Sequence, residues 1–166
     1  LKESIEEKNK TLDEIIPDLL GLANFTTKKP KLKYFEGKGI VSEIYKDILK
    51  YPNQEGLGWF PSDIFFVEEK YIFDYFIPRR IENNIWLRAL SPDSKKMKQL
   101  NENNAEQLRR VKFLPKDKLK NKNEIFIYSS NKVGIISFVD EISIIIESKH
   151  IHEALKSIFE IIWNSN

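Results

Sequence analysis

The stretch Asn123 to Glu147, NEIFIYSSNKVGIISFVDEISIIIE, decides the fold class. Three apolar runs, Asn123 to Ser129, Lys132 to Val139 and Ile142 to Glu147, are separated by Ser129-Ser130-Asn131 and Asp140-Glu141. Both separators suit tight turns, so the runs read as strands of an antiparallel meander. Val133, Ile135, Ile136, Phe138, Ile142, Ile144, Ile145 and Ile146 are apolar on both faces of their strands, the composition of sheet interior covered by helices.

Working outward, the upstream sequence alternates between two periods. Strands are expected at Lys31 to Glu36, Gly58 to Pro61, Ile85 to Leu90 and Arg110 to Leu114; helices at Gly39 to Tyr51, Asp63 to Asn83 and Asp93 to Leu108; a last helix at His150 to Trp163. Repeated βα units followed by a meander imply an α/β fold with a mixed sheet flanked by helices, parallel where helices cross over and antiparallel at the end.

The first segment has a different rhythm. Leu1, Ile5, Leu12, Ile15, Leu19 and Leu22 recur at heptad spacing, Lys8 takes the one polar seam position, and Glu3, Glu6, Glu7, Lys10, Asp13 and Glu14 form charged flanks. Residues 1–25 thus read as a coiled-coil dimerisation helix, with Pro17 interrupting it; the alternative is a helix whose stripe packs on its own domain. Asn24 to Lys31 has linker composition, and residues 31–166 follow as the α/β domain. Leu1 enters a charged helical pattern without a capping residue, so the chain is expected to continue a longer protein.

Composition narrows the chemistry. Eleven Phe, six Tyr and three Trp in 166 residues supply a core, and the absence of Cys excludes disulfides, thiolate metal sites and a nucleophilic thiol. No apolar run approaches a membrane span, and a cytoplasmic location is expected. His150 and His152 stand two apart and so do not make the i, i+4 pair of a helical zinc site; no metal or cofactor is expected. Lys95 to Lys122 carries ten basic against three acidic residues within a chain of net charge +2. It reads either as a solvated connection or as a nucleic-acid contact.

Glu36 and Gly37 stand at the junction of the first strand and its helix, where open α/β sheets place ligand crevices, although turn chemistry alone also accounts for a glycine there. With Arg79, Arg80 and Arg88 in following elements, they form a candidate site for a small polar or anionic ligand. Helix C-termini also attract arginines through the dipole alone.

The order of these parts resembles regulators of the TrmB family. The resemblance is carried by the heptad helix with its late proline, Lys29-Pro30-Lys31 and Tyr34-Phe35-Glu36-Gly37-Lys38-Gly39. It continues through Phe76-Ile77-Pro78-Arg79-Arg80, Ile85-Trp86-Leu87-Arg88, Arg109 to Pro115, the hairpin Ile125 to Ile136 and Leu155 to Trp163. It implies a winged helix that binds DNA, then a dimerising coiled coil, then an effector domain similar to phospholipase D, of which only the last two are represented here. Phospholipase D chemistry requires a His-x-Lys-x-x-x-x-Asp set, which neither His150 nor His152 opens. The expected function is therefore the dimerising and effector-sensing region of a transcription regulator rather than an enzyme. The alternatives are a phosphodiesterase-like enzyme of the phospholipase D fold and a free-standing nucleic-acid-binding module.

Overall fold

The meander forms as its turns require. In the computed structural model, which describes residues 29–61, 68–100, 105–117 and 122–165, three strands pair antiparallel in sequence: β5 (Asn123–Tyr128), β6 (Lys132–Ser137) and β7 (Ile142–Glu147). Ser129 and Glu141 take left-handed backbone at the two turns. The heptad positions Leu1, Ile5, Leu12, Ile15, Leu19 and Leu22 lie outside the described residues.

The crossover strands β2 (Glu55–Trp59), β3 (Trp86–Pro92) and β4 (Arg109–Leu114) are mutually parallel, and β2 joins the meander through β5. With β1 (Lys31–Glu36), the sheet has seven strands in the order β1-β7-β6-β5-β2-β3-β4. The α/β class and the mixed sheet are as expected from the alternation of periods.

Four local expectations are corrected. The first strand, β1 (Lys31–Glu36), pairs antiparallel with β7 at the sheet edge, so its connection into α1 (Ile40–Ile48) is not a parallel crossover. The apolar β7, with Ile144 and Ile146 opposite Tyr34 and Leu32, offers the better partner. Next, β2 begins at Glu55 rather than at Gly58, because Gly56 and Gly58 sit inside the strand. A Cβ on Gly58 would meet the Phe60 ring at 3.1 Å, so this glycine makes room for an aromatic side chain.

Finally, the long helix expected from Asp63 is not a regular α-helix. Its described part comprises α2 (Glu69–Tyr71), a π-helical turn (Ile72–Phe76) and α3 (Ile77–Glu82). Pro78 has no N–H to give the Asp74 carbonyl, and the backbone widens just before it. The helix expected to run to Leu108 is likewise shorter, α4 (Lys95–Leu100), with residues 105–108 in a turn.

Helices cover the two faces unequally. On one face α1, the π turn and α3 pack over Tyr45, Phe76, Phe126 and Tyr128. Gly134 in the middle of β6 lets α1 close on the sheet, since a Cβ there would come within 2.7 Å of Ile44 Cγ2. On the other face α5 (Lys149–Asn164) lays Phe159 onto Trp59, Leu90 and Ile127. Ser148 caps its start by accepting from Ile151 N, and Lys112 Nζ caps its end by donating to the Ile162 and Trp163 carbonyls at 3.0 and 2.9 Å.

Candidate functional site

The five residues expected to share one crevice occupy four places. Glu36 and Gly37 end β1, where Glu36 accepts from the Tyr34 hydroxyl at 3.0 Å and Gly37 N donates to the Glu141 carbonyl at 2.9 Å. Five inter-strand steps separate β1 from β3, about 24 Å at ordinary strand spacing. Arg79 is exposed, its guanidinium over the Tyr75 ring at 4.1 Å. Arg88 and Arg80 reach opposite faces of the sheet: Arg88 meets α5, and Arg80 joins the cavity beneath the π turn.

Arg88 is spoken for. Its Nη1 and Nη2 fork onto Glu160 at 3.0 and 2.6 Å, Nη2 also reaches Glu55 at 2.9 Å, and its guanidinium lies over the Trp163 ring at 5.3 Å. The Glu160 hydrogen bonds hold the guanidinium above its ordinary pKa despite partial burial. Two carboxylates compensate this charge, which marks a structural ion cluster.

Arg80 is different. It is only 2 % exposed, and its nearest partners are main-chain carbonyls. Nη1 donates to Ile85 O at 2.6 Å and Leu108 O at 3.1 Å, while Nη2 donates to Gln107 O. Burial, and then the neighbouring Arg109, lower its pKa to about 10, so it stays charged at neutral pH. Arg109 is lowered by burial as well.

These two arginines stand in the wall of an otherwise apolar cavity formed by Tyr45, Phe60, Phe76, Met97 and Phe126 among others. The cavity offers about 40 Å³. Such a volume is far below the roughly 300–1,000 Å³ of small-molecule pockets. It is narrow, so a ligand would have to part the walls. The wall most suited to that is the π turn, which supplies Ile72, Phe73 and Phe76 and has a less regular hydrogen-bond ladder than an α-helix.

Sequence reasoning missed a second polar group beside the cavity. Tyr45 stacks on Phe76 with centroids 4.0 Å apart, and its hydroxyl donates to Glu124 Oε1 at 2.8 Å. Glu124 is 2 % exposed, and burial pushes its carboxyl up to about 8, which leaves it largely protonated at pH 7. A signal was available: Glu124 alternates with Phe126 and Tyr128 along β5, so a carboxylate shares its strand face with two aromatic rings.

The remaining polar cluster nearby is satisfied. Asp47 accepts from Tyr128 Oη, Lys132 Nζ and Lys50 Nζ at 2.9, 2.9 and 3.0 Å, and α1 is capped by Glu68, which accepts from Val41 N and Ser42 N. From the basic stretch, Lys98 pairs with Asp93, Arg110 lies over Trp86 and Lys112 caps α5. Among the described residues no group of His, Asp and Glu is placed to hold a metal ion, and no helix is long and apolar enough to cross a membrane.

The described domain is thus an α/β unit with a seven-stranded mixed sheet and an arginine-bearing apolar cavity on one face. No family model matches the chain, and no curated protein does. Among solved structures it is similar to TrmBL2, described as an archaeal chromatin protein that shows a novel mode of DNA binding, with a TM-score of 0.54 at 14% identity. The likeness is one of fold and covers 99% of this chain and 64% of TrmBL2.

Proposed function

We propose that this chain is the dimerising and effector-sensing region of a TrmB-like transcription regulator, working in the cytoplasm and without catalysis of its own. The observation that carries the sensing role is the cavity in which Arg80 and Arg109 face apolar walls under a π turn. A cation lodged there with carbonyl partners favours an amphipathic anion, whose acid group would pair with the arginines while its apolar body fills the space between aromatic rings. Binding would shift the π turn, and that displacement is the means by which occupancy reaches the rest of the molecule.

The regulatory half of the reading is supported by the shared fold with TrmBL2, a protein described as binding DNA. In this reading the DNA contact belongs to a winged helix outside the present sequence, and the stripe Leu1, Ile5, Leu12, Ile15, Leu19 and Leu22 joins two copies so that two DNA-binding heads are held at fixed spacing. In this reading the domain would keep a phospholipase D-like layout without the His-x-Lys-x-x-x-x-Asp set, so no phosphodiesterase activity is expected.

A thermal-shift screen tests the sensing role. Octanoate and benzoate should stabilise the chain, by about 2.7 kcal/mol at a hundred times the dissociation constant, and Arg109→Gln should remove the effect. Stabilisation by neutral sugars alone, or unchanged binding in Arg109→Gln, would overturn the assignment of this cavity. The chain by itself should bind duplex DNA weakly and without sequence preference; tight sequence-selective binding in an anisotropy titration would instead favour a free-standing nucleic-acid module.

A further inference from the structure

A second cleft lies where α5 begins, and none of its lining residues belongs to the cavity beneath the π turn. It offers about 570 Å³ and is bordered by Lys50, Gln54, Ser129, Ser130, His152 and Lys156. Two polar side chains converge there on one residue. Gln54 Oε1 accepts from Ser129 N at 2.6 Å, which fixes the orientation of the amide. The His152 ring lies beside the backbone of the same Ser129, a residue held in left-handed geometry at the β5–β6 turn.

Each side chain is left with one unused atom. Gln54 Nε2 and His152 Nδ1 are buried, and among the described residues neither has a hydrogen-bond partner. His152 as a whole is 7 % exposed. Burial first, and Lys156 second, hold its ring below the ordinary imidazole pKa, so it is neutral at pH 7. A neutral imidazole has one donor and one acceptor, and Nδ1 can serve as either. The cleft therefore presents an unused amide donor and an unused ring nitrogen, an arrangement that calls for a bound partner.

The charges around them set the partner's character. Lys50 is engaged by Asp47 and Glu55 by Arg88, whereas no ion pair among the described residues uses Lys156. We propose that this cleft binds a small hydroxylated anion: its hydroxyl, which can donate or accept, pairs with His152 Nδ1, a second oxygen accepts from Gln54 Nε2, and its carboxylate or phosphate lies at Lys156. The inference is independent of the effector cavity, whose walls are apolar and whose cations are arginines.

The test uses the whole chain with D-glycerate and glycerol 3-phosphate as probes, and acetate, inorganic phosphate and glycerol as controls. At least one hydroxylated anion should raise the melting temperature by about 5 °C at a hundred times its dissociation constant, and by more than any control. Which of the two does so distinguishes carboxylate from phosphate. In ¹⁵N spectra of the histidine rings, assigned with His150→Gln, the same probe should move the Nδ1 resonance of His152. His152→Phe and Gln54→Met should each abolish the stabilisation while Arg109→Gln preserves it. Should either variant fail to fold, the ring spectrum of the unaltered chain still decides. No stabilisation with an unmoved His152 resonance would mean that ordered water alone satisfies the two atoms and would overturn the proposal. Equal stabilisation by phosphate, acetate or glycerol, or undiminished binding in His152→Phe, would overturn it too.

Discussion

Arg80 and Arg88 lie eight positions apart in the sequence and enter the two faces of one sheet, yet their environments differ in kind. Arg88 meets two carboxylates at a partly solvated rim, whereas Arg80 meets main-chain carbonyls in an apolar interior. A guanidinium forked onto carboxylates is compensated where it stands. One held by carbonyl dipoles keeps its full charge, and only the folded backbone around it makes that burial tolerable. The comparison separates an arginine that closes a structure from one that leaves a charge available to an incoming group.

Substitution should break the two faces unequally. Arg80→Met leaves the carbonyls of Ile85 and Gln107 without their donor, while Leu108 O keeps Leu87 N, and at about 1–3 kcal/mol for each buried unsatisfied group a loss of about 2–5 kcal/mol is expected in urea denaturation. Arg88→Met frees Glu160 and Glu55, whose side chains are 32 % and 44 % exposed and can return to water. Its cost should be about 1 kcal/mol. Equal losses would erase the distinction between the faces.

The face with the cavity should also carry a pH dependence that the other lacks. Glu124 holds its proton up to about pH 8 in the folded chain, while the same carboxyl in the unfolded chain releases it near pH 4.5. Between those values the folded state binds more protons, so stability is greatest below about pH 4.5 and falls as pH rises toward 8. The contribution should amount to about 2–4 kcal/mol across that window, at 1.36 kcal/mol for each pH unit with allowance for relaxation. Glu124→Gln keeps an acceptor for the Tyr45 hydroxyl and should flatten this part of the curve; an unchanged slope would show that Glu124 ionises normally.

Smaller effects sharpen the contrast. Gly134→Ala would drive a methyl group toward Ile44 Cγ2 and cost about 1–3 kcal/mol on the α1 face. On the α5 face Lys112→Met removes only the cap of the helix C-terminus, and about 0.5–1 kcal/mol should be lost. A Lys112→Met loss larger than that of Gly134→Ala would reverse the order.

Much of the architecture was legible from periodicity. The three meander strands were placed within two residues of their ends, because turn residues interrupt apolar runs at Ser129 to Asn131 and at Asp140 to Glu141. The fate of β1 was not legible. Its six residues read as a strand in any sheet, and whether it lies beside a parallel neighbour or pairs antiparallel with β7 depends on which edge is available when the chain closes. Nor was the π turn, although Pro78 marked the place where an unbroken helix was unsustainable.

By itself the sequence determined the elements, the mixed sheet and the absence of thiol chemistry, because these follow from local periods and residue types. Only the tertiary structure decided which charges meet. Glu36 and Arg88 were grouped because each ends or enters a strand, but strand order places them about 24 Å apart. Arg80 met Arg109, Tyr45 met Glu124, and Gln54 met His152, across sequence separations of 29, 79 and 98 positions. No local pattern records such meetings: the alternation of side chains tells which face a residue takes, while the order of strands and the crossing of helices decide what stands opposite it.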